Sequence, residues 1–375
     1  MDFIERVAIR VDASVEMGMG HLTRCMSLAN ELARQGTKVF FLMRSHAMAL
    51  AGLPEAAGHT VRLLRDPEPG SAEAGVTATG HGLWLPTTWQ RDAEQTREAI
   101  DGIGHVDWLV VDHYALDARW ENAQRRQGLR ILAIDDLADR PHDCDILLDQ
   151  NLVLAMEARY RTRVAVTVRQ LLGPSYALLR PEFAEARKSL AGRSGEVRRI
   201  LICYGGSDPS NETAKALAAI RSLSAGSIDV DVAVGLSNPH ADLIARLCLE
   251  MPRARMHRGA DNMAELMSRA DLAIGAGGVM SWERCCLGLP TIAVDIAENQ
   301  VGALTALAQV GALMHVGSAV SITPDRIADS IRSLLDDPAK TRAMGDVARA
   351  LVDGEGIHRV SAEMVRCQRQ GGLPA

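Results

Sequence analysis

No stretch of the chain reaches the roughly 18 uninterrupted apolar residues that a membrane-spanning helix requires. The opening Met1-Asp2-Phe3-Ile4-Glu5-Arg6 lacks the basic and apolar segments of a secretory leader. A soluble, cytoplasmic protein is the expectation. Positive charge is also scarce: 41 Lys and Arg stand against 47 Asp and Glu, a net charge of −6, with no long basic tract. That balance predicts neither nucleic acid nor a membrane surface as partner, so any phosphate must be held by local geometry. The seven cysteines include no Cys-x-x-Cys pair, and Cys285 and Cys286 are adjacent, which argues against a disulfide framework or a zinc site and fits a reducing compartment. The lysine of an ATP-hydrolysing phosphate loop and any cluster with metal-ligand spacing are likewise missing, so no metal or other cofactor is expected.

What is present is enough apolar residue for two cores: 375 residues, 47% of them hydrophobic, exceed what one core usually supports. β-like runs at about 7–13, 38–44, 59–64, 107–113, 130–136 and 145–149 alternate with helical patterns at about 21–36, 46–57, 88–103 and 117–128. After a charged, irregular stretch the alternation resumes with β-runs at about 199–204, 229–234, 253–257, 271–275, 291–296 and 312–316. The expected fold is α/β: two Rossmann-like domains with parallel sheets facing an interdomain cleft, where ligands sit at the C-terminal strand ends. The boundaries read as residues 1–180, a linker at 181–196, and 197–375. A last helical pattern from Ile357 to Gln368 either crosses back to the first domain or closes the second. The proline-broken stretch 66–75 reads as a surface loop or flap.

The run Val11-Asp12-Ala13-Ser14-Val15-Glu16-Met17-Gly18-Met19-Gly20-His21-Leu22-Thr23-Arg24 is the most informative in the chain. It places an acid, two glycines and a histidine where a strand feeds a helix. Unpaired amides and roughly half a positive charge gather at a helix N-terminus, which can hold an anion or disfavour imidazolium. Neutral imidazole is the form a general base needs. His21 and Asp12 are therefore the candidate catalytic residues, with Gly18 and Gly20 permitting close approach of a substrate. A dinucleotide fingerprint would need a third glycine where Thr23 stands, so hydride chemistry is disfavoured.

In the second half, Gly205-Gly206-Ser207-Asp208 and Ala276-Gly277-Gly278-Val279-Met280-Ser281 each follow a β-run and open a helical pattern. Backbone amides of such turns cradle phosphate without lysine, and two turns in one sheet favour an anion with more than one phosphate. Glu283 is a candidate for ribose hydroxyls or a solvated helix-face charge. Asn299 and Gln300, at another strand end, are either ligands or helix caps.

Taken together these motifs resemble UDP-sugar enzymes of the GT-B fold, and more closely the PseG-type hydrolases of pseudaminic acid biosynthesis. The resemblance runs through Asp12 with Gly18–Arg24, Val111-Asp112-His113-Tyr114-Ala115-Leu116-Asp117, Ile134-Asp135-Asp136-Leu137-Ala138-Asp139-Arg140, Leu148-Asp149-Gln150-Asn151, Gly173–Phe183, Tyr204–Asp208 and Gly275–Gly278. The chain departs from the pattern at Val15-Glu16-Met17 and in a longer 66–87 region. The resemblance implies hydrolysis of a UDP-linked 2,4-diacetamido-2,4,6-trideoxy sugar with inversion, the partners being that UDP-sugar and water. It implies His21 as base toward water. Gly18, Gly20, Arg24, Asp112, His113, Tyr114, Asp135, Arg140 and Asn151 would surround the sugar, although strand-end aspartates also cap helices. Gly206, Ser207, Ala276, Gly277, Gly278, Ser281, Glu283, Asn299 and Gln300 would hold UDP. A sugar transferase of the same fold and a nucleotide-sugar binder without chemistry are the alternatives. The oligomeric state is left open, a monomer included.

Overall fold

Runs such as Trp108-Leu109-Val110-Val111 and Ile200-Leu201-Ile202 carry apolar side chains at consecutive positions, so both faces of each strand need cover, as in a parallel sheet wrapped by helices. The computed structural model, which describes residues 3–13, 17–67, 80–223 and 228–370, has that form. The first sheet contains β1 (Arg6–Val11), β2 (Lys38–Arg44), β3 (Thr60–Leu64), β4 (Trp108–Asp112), β5 (Arg130–Ile134), β6 (Ile146–Asp149) and β7 (Arg169–Leu172). Its order is β3-β2-β1-β4-β5-β6-β7, with every pairing parallel. The second sheet contains β8 (Arg199–Cys203), β9 (Asp229–Val234), β10 (Ala254–Arg258), β11 (Leu272–Ala276), β12 (Thr291–Asp295) and β13 (Met314–Ser318), again all parallel, in the order β10-β9-β8-β11-β12-β13.

Each order reverses direction at one place, between β1 and β4 and between β8 and β11. At such a switch point the connecting segments leave in opposite directions and open a crevice at the C-terminal strand ends. Asp12, the Met17–Arg24 segment and Asp112 lie at the first switch point; the two glycine turns lie at the second.

The chain divides into two compact units. The first comprises residues up to Asn151, Ala155–Leu178 and the chain from Gly356 onward; the second comprises Leu152–Leu154 and Leu179–Glu355. Helix Gly356–Gln370 lies in the first unit against helix Gly20–Arg34, with Ile357, Val360 and Met364 in the same core and Gln35 Nε2 donating to Ser361 Oγ at 3.2 Å. The stretch 181–196, read from sequence as a linker, carries helix Pro181–Ser189, whose Phe183 is fully buried in the second unit. With one buried apolar residue, that helix leaves little periodic signal. Strand β7 also escaped the sequence reading, because Arg169-Gln170-Leu171-Leu172 is half polar. The proline-broken flap lies outside the described residues over positions 68–75, as do Ser14, Val15 and Glu16.

A buried ionic cluster braces the first sheet. Asp92, from helix Trp89–Ile103, accepts from Arg10 at 2.8 Å, Arg44 at 2.7 Å and Trp120 Nε1 at 2.9 Å. Both arginines and the aspartate are fully buried, so loss of one partner would leave a charge uncompensated, at about 3–5 kcal/mol.

Candidate active site

Helix Gly20–Arg34 follows Gly18, which adopts φ +75°, a conformation that favours glycine. The helix begins without a side-chain cap and with no acid in its first turn. His21 and Arg24, one turn apart, therefore project from the same face toward Asp112 at the end of β4. His21 Nδ1 is 2.7 Å from Asp112 Oδ1. Arg24 donates from Nε to Oδ2 and from Nη2 to Oδ1 of the same carboxylate, both at 2.7 Å.

This geometry fixes the imidazole tautomer. Asp112 is fully buried, and burial alone would raise its pKa, but the Arg24 guanidinium and His21 hold it well below the usual carboxylate range. An ionised carboxylate only accepts, so Nδ1 carries a proton, and in the neutral ring the lone pair is on Nε2. The reverse tautomer would oppose two lone pairs at 2.7 Å. Among the described residues no hydrogen-bond partner is found for Nε2.

A second carboxylate, Asp136, gathers the rest of the cluster. It accepts from Arg24 Nη1 at 2.9 Å, Tyr114 OH at 2.5 Å and Asn151 Nδ2 at 2.7 Å. Four segments distant in sequence thus meet at the first switch point. The Tyr114 ring stands edge-on to His21, with centroids 4.6 Å apart.

Of the residues expected around the reaction, His21, Arg24, Asp112, Tyr114 and Asn151 are brought together. Asp12, His113, Asp135 and Arg140 do other work. Asp12, the other candidate catalytic residue, is fully buried, accepts from Arg10 Nη2 and from the Arg44 amide at 2.7 Å each, and so ties β1 to β2, whereas the acid that meets His21 is Asp112. His113 is 1% exposed; its Nδ1 accepts from the Ala115 amide at 3.1 Å, and burial pushes its pKa down to about 4. It is a neutral core histidine rather than a sugar contact. Asp135 accepts from the Ala138 amide at 2.8 Å and Tyr160 OH at 2.9 Å, and pairs with Arg140 at 2.8 Å, holding the 136–140 turn. Arg140 also sits over the Tyr114 ring at 5.9 Å. Asp136 and Asp149 lay in recognised motifs, yet the sequence offered no sign that Asp136 is the hub.

Behind this cluster His142 Nδ1 is 2.7 Å from Glu121 Oε1, and its Nε2 is 3.7 Å from Asp135. Burial disfavours the imidazolium, but these two carboxylates outweigh it and push the pKa up to about 9. A raised pKa adds stability that is full below the unfolded value of about 6.5 and lost as pH climbs through 9. The melting temperature is expected to fall between those pH values, by the equivalent of on the order of 3 kcal/mol. In His142→Gln the same scan should be flatter; an equal slope in both proteins would show that another group titrates.

The two glycine turns of the second unit are not equivalent. In the first, Asp208 caps the following helix, Glu212–Ser222, by accepting from the Glu212 amide at 2.9 Å and the Thr213 amide at 3.0 Å. Those amides are spent, and the carboxylate would repel phosphate. Gly206 instead packs tightly: a Cβ on Gly235 would lie 2.0 Å from its carbonyl oxygen. The helix end that follows Gly206 and Ser207 is thus capped from within the chain. In the second turn Gly278, at φ +85°, starts helix Val279–Cys286 with no side-chain cap, no acid in the first turn and open space where a Cβ would be. These amides have the character of an anion site.

Gln300 Oε1 accepts from the Gly277 amide at 3.1 Å and the Ile296 amide at 3.2 Å, joining the turns after β11 and β12. Asn299 is exposed in the first turn of helix Glu298–Gln309. Ser281 and Ala276 accept from Arg284, through Oγ at 3.2 Å and through the carbonyl at 2.5 Å, and Ser281 is buried. Glu283 is 3% exposed and meets Arg180 Nη2 at 3.1 Å; burial raises its pKa and Arg180 opposes that. It is an ion-paired buried acid, not a solvated helix-face charge.

Two parallel sheets, each with its switch point, define the fold as that of the GT-B glycosyltransferases. MurG of Acinetobacter baumannii superposes with a TM-score of 0.66 over 96% of this chain and 99% of that one, at 14% identity, which speaks to the fold alone. At the sequence level the chain is similar to the UDP-2,4-diacetamido-2,4,6-trideoxy-beta-L-altropyranose hydrolase of Campylobacter jejuni, 27% identical over 82% of this chain and 97% of that protein. It is also similar to the spore coat polysaccharide biosynthesis protein SpsG of Bacillus subtilis, 30% identical over 55% of this chain and 61% of that protein. The chain spans about three fifths of the length of two of the curated relatives it matches. No protein-family model matches it. No described helix is long and apolar enough to cross a membrane.

Proposed function

We propose that the protein is a UDP-sugar hydrolase that releases UDP and a free 2,4-diacetamido-2,4,6-trideoxy sugar, with inversion at the anomeric carbon. The observation that carries this reading is the His21–Asp112 pair, whose 2.7 Å contact turns Nδ1–H to the carboxylate and makes Nε2, without a partner among the described residues, the basic nitrogen of the neutral ring. Such an imidazole is a general base oriented for one proton transfer. Water gives its proton to Nε2 as its oxygen bonds to the anomeric carbon. The bond from that carbon to the diphosphate oxygen breaks, and its electron pair leaves with UDP. Asp112 stabilises the imidazolium. Within the second unit, the uncapped amides opening helix Val279–Cys286 are donors suited to a phosphate. The substrate class is supported by the likeness to the Campylobacter enzyme, and a place in pseudaminic acid biosynthesis follows from the resemblance of the sequence motifs alone.

The test is turnover of the UDP-linked sugar in ¹⁸O-labelled water. The label is expected at the anomeric hydroxyl and absent from UDP, with the initial product the opposite anomer. Label in UDP would place the cleavage at phosphorus and overturn the reading. A transferase, the alternative that fold likeness favours, would form free sugar only slowly until an acceptor is added.

A further inference from the structure

Beside His21 lies a group of aromatic rings that the proposed chemistry does not use. The short helical turn Gly80–Trp84 lies just before helix Trp89–Ile103 and brings two rings to the cluster. Trp84 stacks on Tyr114, with centroids 5.3 Å apart and planes 23° from parallel. The His21 ring stands nearly perpendicular to both, 4.6 Å from Tyr114 and 6.2 Å from Trp84. His81 packs edge-on to the same stack, 4.8 Å from Trp84 and 5.1 Å from Tyr114, and so buttresses it.

The Tyr114 hydroxyl is already committed to Asp136 at 2.5 Å. The ring faces of Tyr114 and Trp84 beside the base are carbon, and the indole Nε1–H is a donor at the ring edge. Trp84 is only part-buried, and a part-exposed indole beside a reacting centre is a surface on which C–H and methyl groups gain by burial while hydroxyls lose their water.

We propose that Trp84, backed by Tyr114 and His81, is a specificity residue: an apolar wall that selects sugars carrying a methyl group and acetamido methyls over sugars rich in hydroxyls. This rests on the hydrolase reading above and adds to it the element that reads the deoxygenated part of the sugar. Discrimination by one methyl-sized contact is commonly about 10- to 200-fold in kcat/KM, and the wall accounts for a preference of that size.

The experiment compares kcat/KM for a UDP-linked 2,4-diacetamido-2,4,6-trideoxy hexose and for UDP-N-acetylglucosamine in the wild type, Trp84→Ala and Trp84→Phe, with the melting temperature of each recorded. Trp84→Ala is expected to lose about tenfold or more of the preference through the deoxy sugar alone. Trp84→Phe should keep most of it, and affinity for UDP itself should not move. An equal fall for both substrates in Trp84→Ala overturns the inference. If the wild type hydrolyses neither compound, the hydrolase reading fails, and the wall is then judged by calorimetric binding of the two UDP-sugars. A binding preference that disappears only in Trp84→Ala supports it; no preference in the wild type overturns it.

Discussion

His21→Gln is expected to lower kcat for sugar release by about 10²- to 10⁴-fold, the usual contribution of a positioned base, while leaving UDP affinity unchanged. Glutamine keeps a polar side chain of similar reach but cannot take a proton from water at neutral pH. The assay is steady-state release of UDP alongside equilibrium binding of UDP. Retained turnover would remove the base assignment. Lost binding with lost turnover would show that His21 serves the nucleotide rather than the water.

Asp112→Asn should be nearly as damaging to turnover, and costly to the fold as well. The carboxylate accepts from His21 and twice from Arg24 in full burial. An amide has one accepting oxygen, so either His21 loses its orienting partner or Arg24 is left short. A change that frees the imidazole to adopt the other tautomer puts the proton on Nε2 and removes the base. Arg24 keeps its ion pair with Asp136, so the loss is that of hydrogen bonds to a charged group, about 1.5–3 kcal/mol of stability. Two readouts separate these effects: the residual kcat of the fraction that remains folded, and the denaturant midpoint. A stable variant with normal turnover would refute the assigned geometry.

The contrast between Asp12 and Asp112 shows where the sequence was legible. Both are strand-end acids at the same switch point, and the motif beginning at Asp12 drew attention because it is local in sequence. The partner of His21 is Asp112, 91 residues away, whereas Asp12 is taken up by Arg10 and the Arg44 amide. Spacing along the chain carries no information about which of two neighbouring strand ends a helical side chain will face. The glycine turns teach the same lesson. Gly206 and Gly278 look alike in sequence, but Asp208 folds back on one helix end and nothing comparable caps the other. Trp84 left no readable signal, since a lone tryptophan after a proline-broken stretch has no periodicity to place it.

Hydrophobic periodicity, which depends on neighbours a few residues apart, was enough to determine the α/β class, the two halves and most of the strands. Charge balance argued against nucleic acid and an anionic membrane surface as partners. Tertiary structure alone decided which acid orients His21, that Asp136 joins Arg24, Tyr114 and Asn151, which helix N-terminus stays open, and that the final helix belongs with the first unit. Those outcomes depend on hydrogen bonds and burial between segments tens to hundreds of residues apart, and only the packed chain brings them within reach.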